Sequence, residues 1–221
     1  MVDFIFPEIP AWRNTKKLLD DGLIGKILNV NVVWTFLSYD LRNEIESWKT
    51  DIKQGGGALS FYFSHVFYYL EFYVGKIKNL NCSLYSSEKS AYGGETSVSL
   101  TMLFENGCSG NAHMDISYTG TPKHIVEFHG EHGTIILLNT TSDFVDNFQI
   151  IVTKQGIENT ERSDICNFDK SDDPRVKVLQ PIAERFIQWC RTGLPSKPDF
   201  QDGLRVQELI DLARSKSNII K

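Results

Sequence analysis

Residues 97–118 read SVSLTMLFENGCSGNAHMDISY, and this stretch decides the fold. Apolar residues occupy the even positions from 98 to 104 and again from 112 to 116, with mostly polar residues between them. Alternation with a period of two predicts two strands that each bury one face, and Glu105-Asn106-Gly107 predicts a tight hairpin turn between them. The stretch therefore predicts an antiparallel sheet with one apolar face and one polar face.

The same kind of pattern continues on both sides of this hairpin. Further strands are predicted at Ile27–Trp34, Leu80–Tyr85, His124–Phe128, Thr134–Leu138 and Phe148–Thr153. Helices are predicted at 10–19, 58–74, 174–191 with a kink or late start at Pro181, and 199–215, and a polar surface excursion is predicted at 158–173. Because the strands do not alternate with helices at βαβ spacing, the fold class is α+β: a large, mostly antiparallel open sheet with helices packed on one face.

Composition limits the class of protein. The 221 residues, 41% of them hydrophobic, indicate a single domain over 1–221 with a core that needs no disulfide or metal. A net charge of −5 argues against a nucleic-acid partner. No apolar run reaches the roughly 20 residues of a membrane helix, and the four cysteines lack C-x-x-C spacing, which indicates free thiols in a reducing cytoplasm.

Three consecutive glycines, Gly55-Gly56-Gly57, precede the predicted helix that carries His65. Such glycines let the backbone approach a ligand closely, and the helix start offers free N–H groups to an anion or a hydroxyl. His65 could then act as a general acid or base, or bind a substrate oxygen. The alternative is a core histidine, since positions 58, 61, 62, 65, 68, 69 and 72 share one aromatic-rich helical face.

Motifs for cofactors and metals are not found. The sequence contains neither G-x-G-x-x-G nor G-x-x-x-x-G-K-[ST], so no cofactor-binding residue is predicted in this chain. His129 and His132 have a spacing that could chelate a metal on a helix, but Gly130 and Gly133 indicate a turn there. No metal site is predicted.

The order of several motifs resembles the C-terminal domain of the Gfo/Idh/MocA oxidoreductases, the relatives of glucose–fructose oxidoreductase and inositol dehydrogenase. These motifs are Asp21–Ile27, Trp48-Lys49, Gly55–Leu59 followed by His65, Gly75, Asn106-Gly107, Gly130–Thr134 and the final helices. The resemblance covers nearly the whole chain. It implies an α+β domain like the C-terminal domain of glyceraldehyde-3-phosphate dehydrogenase, cut from its N-terminal Rossmann domain, which binds NAD or NADP.

The resemblance also implies roles for particular residues. Hydride passes between the nicotinamide and a substrate carbinol carbon, while a Rossmann-domain lysine and His65 handle the proton. Trp48 and Lys49 match positions near the pocket rim, where Lys49 either binds substrate hydroxyls or a carboxylate, or is a solvated loop residue. Gly57 and Tyr62 complete the expected substrate-binding set.

The chain departs from the family pattern on both sides of the histidine. Family members often carry acidic residues where this chain has Phe61 and Tyr68. Without a carboxylate to orient or charge it, His65 is a poorer acid. Either the proton role shifts, for instance to Tyr62, or the chemistry is altered or lost.

Three functions are therefore compared. The first is the substrate-binding and dimerisation domain of an NAD(P)-dependent sugar or polyol oxidoreductase, inactive alone and homo-oligomeric through its open sheet face. The second is a non-catalytic sugar-binding or assembly module with the same fold, and the third is a dehydratase or isomerase that uses His65 with Tyr62. The polar sheet face is either solvated or a dimer interface, and it carries Ser97, Ser99, Thr101, Asn111, His113 and Asp115.

Overall fold

The computed structural model contains one large open sheet. The structure describes residues 1–87, 90, 93–154, 157–162 and 173–220, and only the backbone is described at 157–162 and 218–220. Its strands are β1 (Ile27–Thr35), β2 (Ile77–Tyr85), β3 (Ser97–Phe104), β4 (Ser109–Asp115), β5 (Lys123–Gly130), β6 (Gly133–Asn139), β7 (Gln149–Lys154), β8 (Ile157–Arg162) and β9 (Ser217–Ile220). The order across the sheet is β8-β7-β6-β5-β1-β4-β3-β2-β9. Neighbouring strands are antiparallel except for the parallel pairs β1–β4 and β2–β9.

Helices connect and cover these strands. They are α1 (Pro10–Asp20), α2 (Tyr39–Arg42), α3 (Ala58–Phe61), α4 (Phe63–Tyr73), α5 (Pro174–Thr192) and α6 (Phe200–Ser215). Helix α5 runs through Pro181 and ends at Gly193, whose φ of +72° suits a residue without a Cβ. Within the described ranges, no helix combines the length and the apolar content that a membrane span requires.

The two faces of the sheet differ as the alternation predicts. Val98, Leu100, Met102 and Phe104 of β3 are all buried, whereas the residues between them are exposed or partly exposed. The buried face packs on helices: α1 contacts β6 and β7, α3 contacts β3, and α6 contacts β2. The predicted antiparallel sheet with helices on one face is therefore confirmed, and the six strands predicted after residue 79 are present at their expected places.

The segment predicted as one helix over 58–74 is two helices. Tyr62, with φ −99° and ψ −43°, separates α3 from α4. The side chains that face the core are Leu59, Phe63, Val66, Phe67 and Leu70. On the aromatic face that we predicted as the alternative core, Ala58 and Tyr69 are fully buried. Its other members are only partly buried, because the aliphatic and phenylalanine side chains on the neighbouring face take the space against the sheet.

The predicted surface excursion at 158–173 is wrong in its first part. Ile157–Arg162 forms β8, which pairs antiparallel with β7 along its whole length. An edge strand is held by backbone hydrogen bonds on one side and needs no alternation of apolar and polar residues. The hydrophobic pattern of the sequence therefore did not predict this strand. Residues 163–172 lie outside the described residues.

Candidate active site

A cavity of about 370 Å³ lies where the N-terminal segment, α2, α4, and the ends of β1, β5 and β6 meet. Its lining residues are Asp3, Ile5, Phe6, Trp34, Thr35, Phe36, Leu37, Tyr39, Arg42, Phe61, Tyr62, His65, Pro122, Lys123, His124, Asn139, Thr141, Ser142, Asp143 and Phe144. Two of the five residues predicted for the site, His65 and Tyr62, are among them. The cavity volume falls within the range of small-molecule sites, and the walls are mostly apolar with a few polar groups, as in such sites.

His65 reaches the cavity from α4. Among the described residues, its Nδ1 is buried and has no hydrogen-bond partner, whereas Nε2 makes no hydrogen bond and keeps some exposure, so Nε2 is the nitrogen accessible to a ligand. The rings of Phe4 and Phe6 pack edge-on against the imidazole, at centroid distances of 5.8 and 5.6 Å. Burial lowers the pKa of His65 to about 4, so the ring is neutral at neutral pH.

His124 is a second histidine of the cavity wall, and sequence reasoning missed it. It is buried, stacks on Trp34 at 4.5 Å, and its Nε2 shares a 3.3 Å hydrogen bond with the Tyr69 hydroxyl. Burial, with a smaller contribution from His65, lowers the pKa of His124 to about 3. The sequence pattern could have located His124, because alternation along β5 places it on the same apolar face as Val126.

Tyr62 contributes a hydroxyl from the junction of α3 and α4. Its ring lies edge-on to Phe36 at 5.2 Å. Burial, and then the charge of Asp40, raise the pKa of Tyr62 to about 12. The phenol is therefore protonated at neutral pH and can donate a hydrogen bond.

Trp48 and Lys49 lie outside the cavity lining and meet it only through Phe61. Trp48 is 52% exposed and packs edge-on against Phe61 at 5.3 Å. Lys49 Nζ lies 4.9 Å from the centroid of the same ring. Both residues therefore support one aromatic wall of the cavity, and a direct contact with substrate stays a prediction.

Gly57 also lies outside the lining, and its surroundings give it a packing role. A Cβ at this position would lie 2.3 Å from Glu95 Oε1. That oxygen accepts a hydrogen bond from the Leu59 N–H (3.1 Å), and the Glu95 carbonyl accepts one from the Ala58 N–H (2.8 Å). Arg214 of α6 completes the contact, with Nη2 at 3.5 Å from Glu95 Oε1. The start of α3, which we considered as an anion site, is thus filled by the protein's own carboxylate.

The loop between β6 and β7 forms another wall and is organised by buried Asn139. The Asn139 side-chain amide donates to the Asp143 and Asp146 carbonyls. Its Oδ1 accepts from the Thr141 N–H (2.8 Å) and hydroxyl (2.9 Å). The loop is therefore held in one arrangement beside the cavity. Asn followed by Thr and Ser is a turn signal that could have located it.

The starts of three helices are not open to the pyrophosphate of a dinucleotide. Binding of a pyrophosphate at a helix start needs free backbone N–H groups. Carboxylates of this chain already accept such N–H groups at three helices: Glu95 at α3, Asp173 at α5 and Asp199 at α6. A second carboxylate, Asp202, bonds the Asp199 N–H. No chemical step through a dinucleotide is therefore assigned to the described residues.

An open sheet with helices on one face is an α+β fold that this chain shares with solved oxidoreductases. Levoglucosan dehydrogenase, solved in complex with NADH and levoglucosan, matches 98% of this chain with a TM-score of 0.79 at 20% identity. An oxidoreductase from Agrobacterium radiobacter, in complex with NAD+, L-tartaric acid and magnesium, matches 98% with a TM-score of 0.79 at 15% identity. At these identities the likeness shows the fold alone.

The sequence itself identifies the family. The model of the GFO/IDH/MocA C-terminal domain matches residues 12–136, more than half of the chain. The chain belongs to this family, as its motifs predicted. It is also 26% identical, over 96% of its length, to uncharacterized oxidoreductase sll0816 of Synechocystis sp. (strain ATCC 27184 / PCC 6803 / Kazusa). The chain spans 61% of that relative and 63% of levoglucosan dehydrogenase.

Proposed function

We propose that this chain is the substrate-binding domain of an NAD(P)-dependent oxidoreductase acting on a sugar or polyol, and that the cavity holds the substrate. The observation that carries the proposal is His65, whose neutral imidazole has one accessible nitrogen in a cavity walled by aromatic rings. Aromatic faces suit the C–H faces of a sugar ring, and the polar groups suit its hydroxyls.

Each polar group has a defined part in this proposal. His65 Nε2 accepts the proton of a substrate hydroxyl, or hydrogen-bonds it. Tyr62 donates its hydroxyl hydrogen to another oxygen of the ligand, because its pKa of about 12 keeps it protonated. The nicotinamide that exchanges hydride with the substrate would be bound by a separate Rossmann domain, so this chain alone has no dehydrogenase activity.

The test is ligand binding to the chain itself. We expect levoglucosan and myo-inositol to shift the NMR signals of Trp34 and His65 in a saturable way, and H65A to weaken that binding. H113A, which removes an exposed histidine of the sheet, is the matched control. NADH added alone should leave tryptophan fluorescence unchanged, and tight stoichiometric NADH binding would contradict the assignment.

A non-catalytic sugar-binding or assembly module is the second candidate. It is favoured by His65 Nδ1, which has no partner among the described residues to orient the ring or stabilise its charged form. The two candidates separate when the chain is joined to a Rossmann domain of the family. Sugar-dependent NADH formation that H65A abolishes supports the oxidoreductase, whereas sugar binding without turnover supports the module.

A further inference from the structure

The N-terminal segment places a carboxylate in the cavity wall. Asp3 is held between two anchored neighbours: the Val2 N–H donates to the Pro198 carbonyl (3.2 Å), and Phe4 is buried against Tyr68 at 4.3 Å. The Phe4 ring also packs on the imidazole of His65. Asp3 is thus fixed next to the helix that carries the histidine, and it lines the same cavity.

The Asp3 carboxylate makes no hydrogen bond and no ion pair with the described residues. Removal of water from its surroundings raises the pKa of Asp3. Asp143, the second carboxylate of the lining, differs because its Oδ1 accepts the N–H groups of Val145 (2.9 Å) and Asp146 (3.0 Å). Asp3 is therefore the lining carboxylate that remains available to a ligand.

The cations of the lining do not neutralise Asp3. Arg42 and Lys123 border the cavity, but neither lies within ion-pair distance of Asp3. Asp3 is exposed at the edge of the cavity, so its carboxylate can accept a hydrogen bond from a hydroxyl group of a bound ligand. Among neutral solutes, sugars and polyols carry the densest arrays of such donors.

We propose that Asp3 is a ligand-binding residue of this cavity and accepts a hydrogen bond from a hydroxyl group of the bound sugar or polyol. The assignment rests on the proposed function and adds a second, charged contact to the one made by His65. O–H···O⁻ bonds are shorter and stronger than neutral ones. A site built around such a bond rejects analogues that lack the hydroxyl.

The test compares D3N with wild type, using levoglucosan and myo-inositol as probes in NMR titrations at pH 7. We expect D3N to weaken binding about tenfold or more, since hydrogen bonds to charged groups are of that strength. The matched control is D21N, because Asp21 is exposed at the end of α1 and outside the cavity. It should leave affinity unchanged.

Stability supplies a readout that needs no ligand. If Asp3 serves binding, D3N removes an exposed charge that has no partner among the described residues, so its thermal midpoint should not fall below that of wild type. A lowered midpoint would show a structural role and overturn the assignment. Wild-type affinity in D3N, alongside weak binding by H65A, would overturn this assignment alone. If the wild type binds neither probe, the proposed function fails and this assignment with it.

Discussion

At the scale of single residues, Gly57 shows that a glycine motif typical of ligand binding can also be required for packing. Three glycines before a helix are typical of a ligand-binding turn, but here the carboxylate of Glu95 occupies the space of the missing Cβ. The partner lies 38 positions later in the sequence, and no local pattern connects the two. The glycine is therefore required for packing, and His65, which we propose as a ligand-binding residue, lies further along, on α4.

Gly57→Ala should destabilise the protein strongly. Its φ of +115° and ψ of 163° suit glycine alone, and the new Cβ would collide with Glu95. We expect a loss of about 3 kcal/mol or more in the free energy of unfolding, measured by urea denaturation. G55A is the matched control, because Gly55 also has a positive φ (+81°) but nothing lies within 4 Å of its Cβ position. Its cost should be about 1 kcal/mol, and equal losses would refute the clash.

The two cavity histidines should make the free energy of unfolding depend on pH. Their folded pKa values, about 4 for His65 and about 3 for His124, lie below the unfolded value of 6.5. Between these values the unfolded chain binds more protons, so the free energy of unfolding falls as pH is lowered from about 6.5 towards 4. The loss should reach about 3 kcal/mol or more, measured by urea denaturation at pH 7 and pH 4.5.

His124→Gln tests the origin of this dependence. The variant keeps a polar atom near the Tyr69 hydroxyl but cannot titrate, so its loss of stability on acidification should be smaller than that of wild type. H113Q controls for the removal of a histidine, because His113 is exposed and bonds Ser99 on the open sheet face. An acid dependence in H124Q equal to that of wild type would exclude His124 as its source.

At the scale of elements, ion pairs tie the last two helices to the rest of the domain. Glu8 pairs with Arg185 of α5, and Glu71 of α4 pairs with Arg205 of α6 at 2.8 Å. Arg205 also donates to the Ile77 carbonyl at the start of β2 (2.8 Å). One arginine thus joins α6, α4 and the sheet, and it fixes the helix that carries His65.

Glu71→Ala should loosen this junction. The Glu71 carboxylate is largely buried and accepts hydrogen bonds from Arg205 and from the Ile77 N–H (2.9 Å). We expect a loss of about 2–3 kcal/mol in urea denaturation, because both donors lose their acceptor. E208A removes a carboxylate 3.5 Å from the same arginine, but Glu208 is exposed, so it should cost no more than about 0.5 kcal/mol. Similar losses in both variants would argue against a special role for Glu71.

At the scale of the whole molecule, the open sheet face has two halves. Its polar half carries Ser99 and His113, which the alternation placed on this face, and the two side chains share a 2.9 Å hydrogen bond. The other half, over β5, β6 and β7, has an apolar centre with polar residues around it: Ile125 pairs with Leu138, and Ile136 pairs with Ile151. A partly exposed apolar sheet face of this kind suits self-association. We propose it as the homo-oligomer interface.

Ile136→Asp should weaken that association, because a charge would have to be buried between two subunits. The wild type is expected to sediment as a dimer at micromolar concentration, and I136D as a monomer. L194D is the matched control, since Leu194 is 70% exposed and lies beyond α5, away from the sheet. A monomeric wild type at that concentration would contradict the proposed interface.

Much of the fold could be predicted because its signals are local. Alternation in β3 and β4 depends on the period of an extended chain, and the start of α6 depends on the capping residue Asp199. The split of one predicted helix at Tyr62 could not be predicted, and neither could β9. Both depend on contacts with distant parts of the chain. Packing against the sheet determines which face of α4 is buried, and β9 forms by pairing with the edge strand β2.

The sequence by itself determined the α+β class and the family, and it led us to propose His65 for the site, since each inference rests on periodicity or on residues close together in the chain. The tertiary structure alone decided which groups surround that histidine. Asp3, His124 and the Asn139 loop are each more than 50 positions from His65 in the sequence, yet all of them line the same cavity. Their meeting is set by the order of strands in the sheet and by burial of its apolar face. Contacts between such distant segments cannot be predicted from the pattern of any single stretch of sequence.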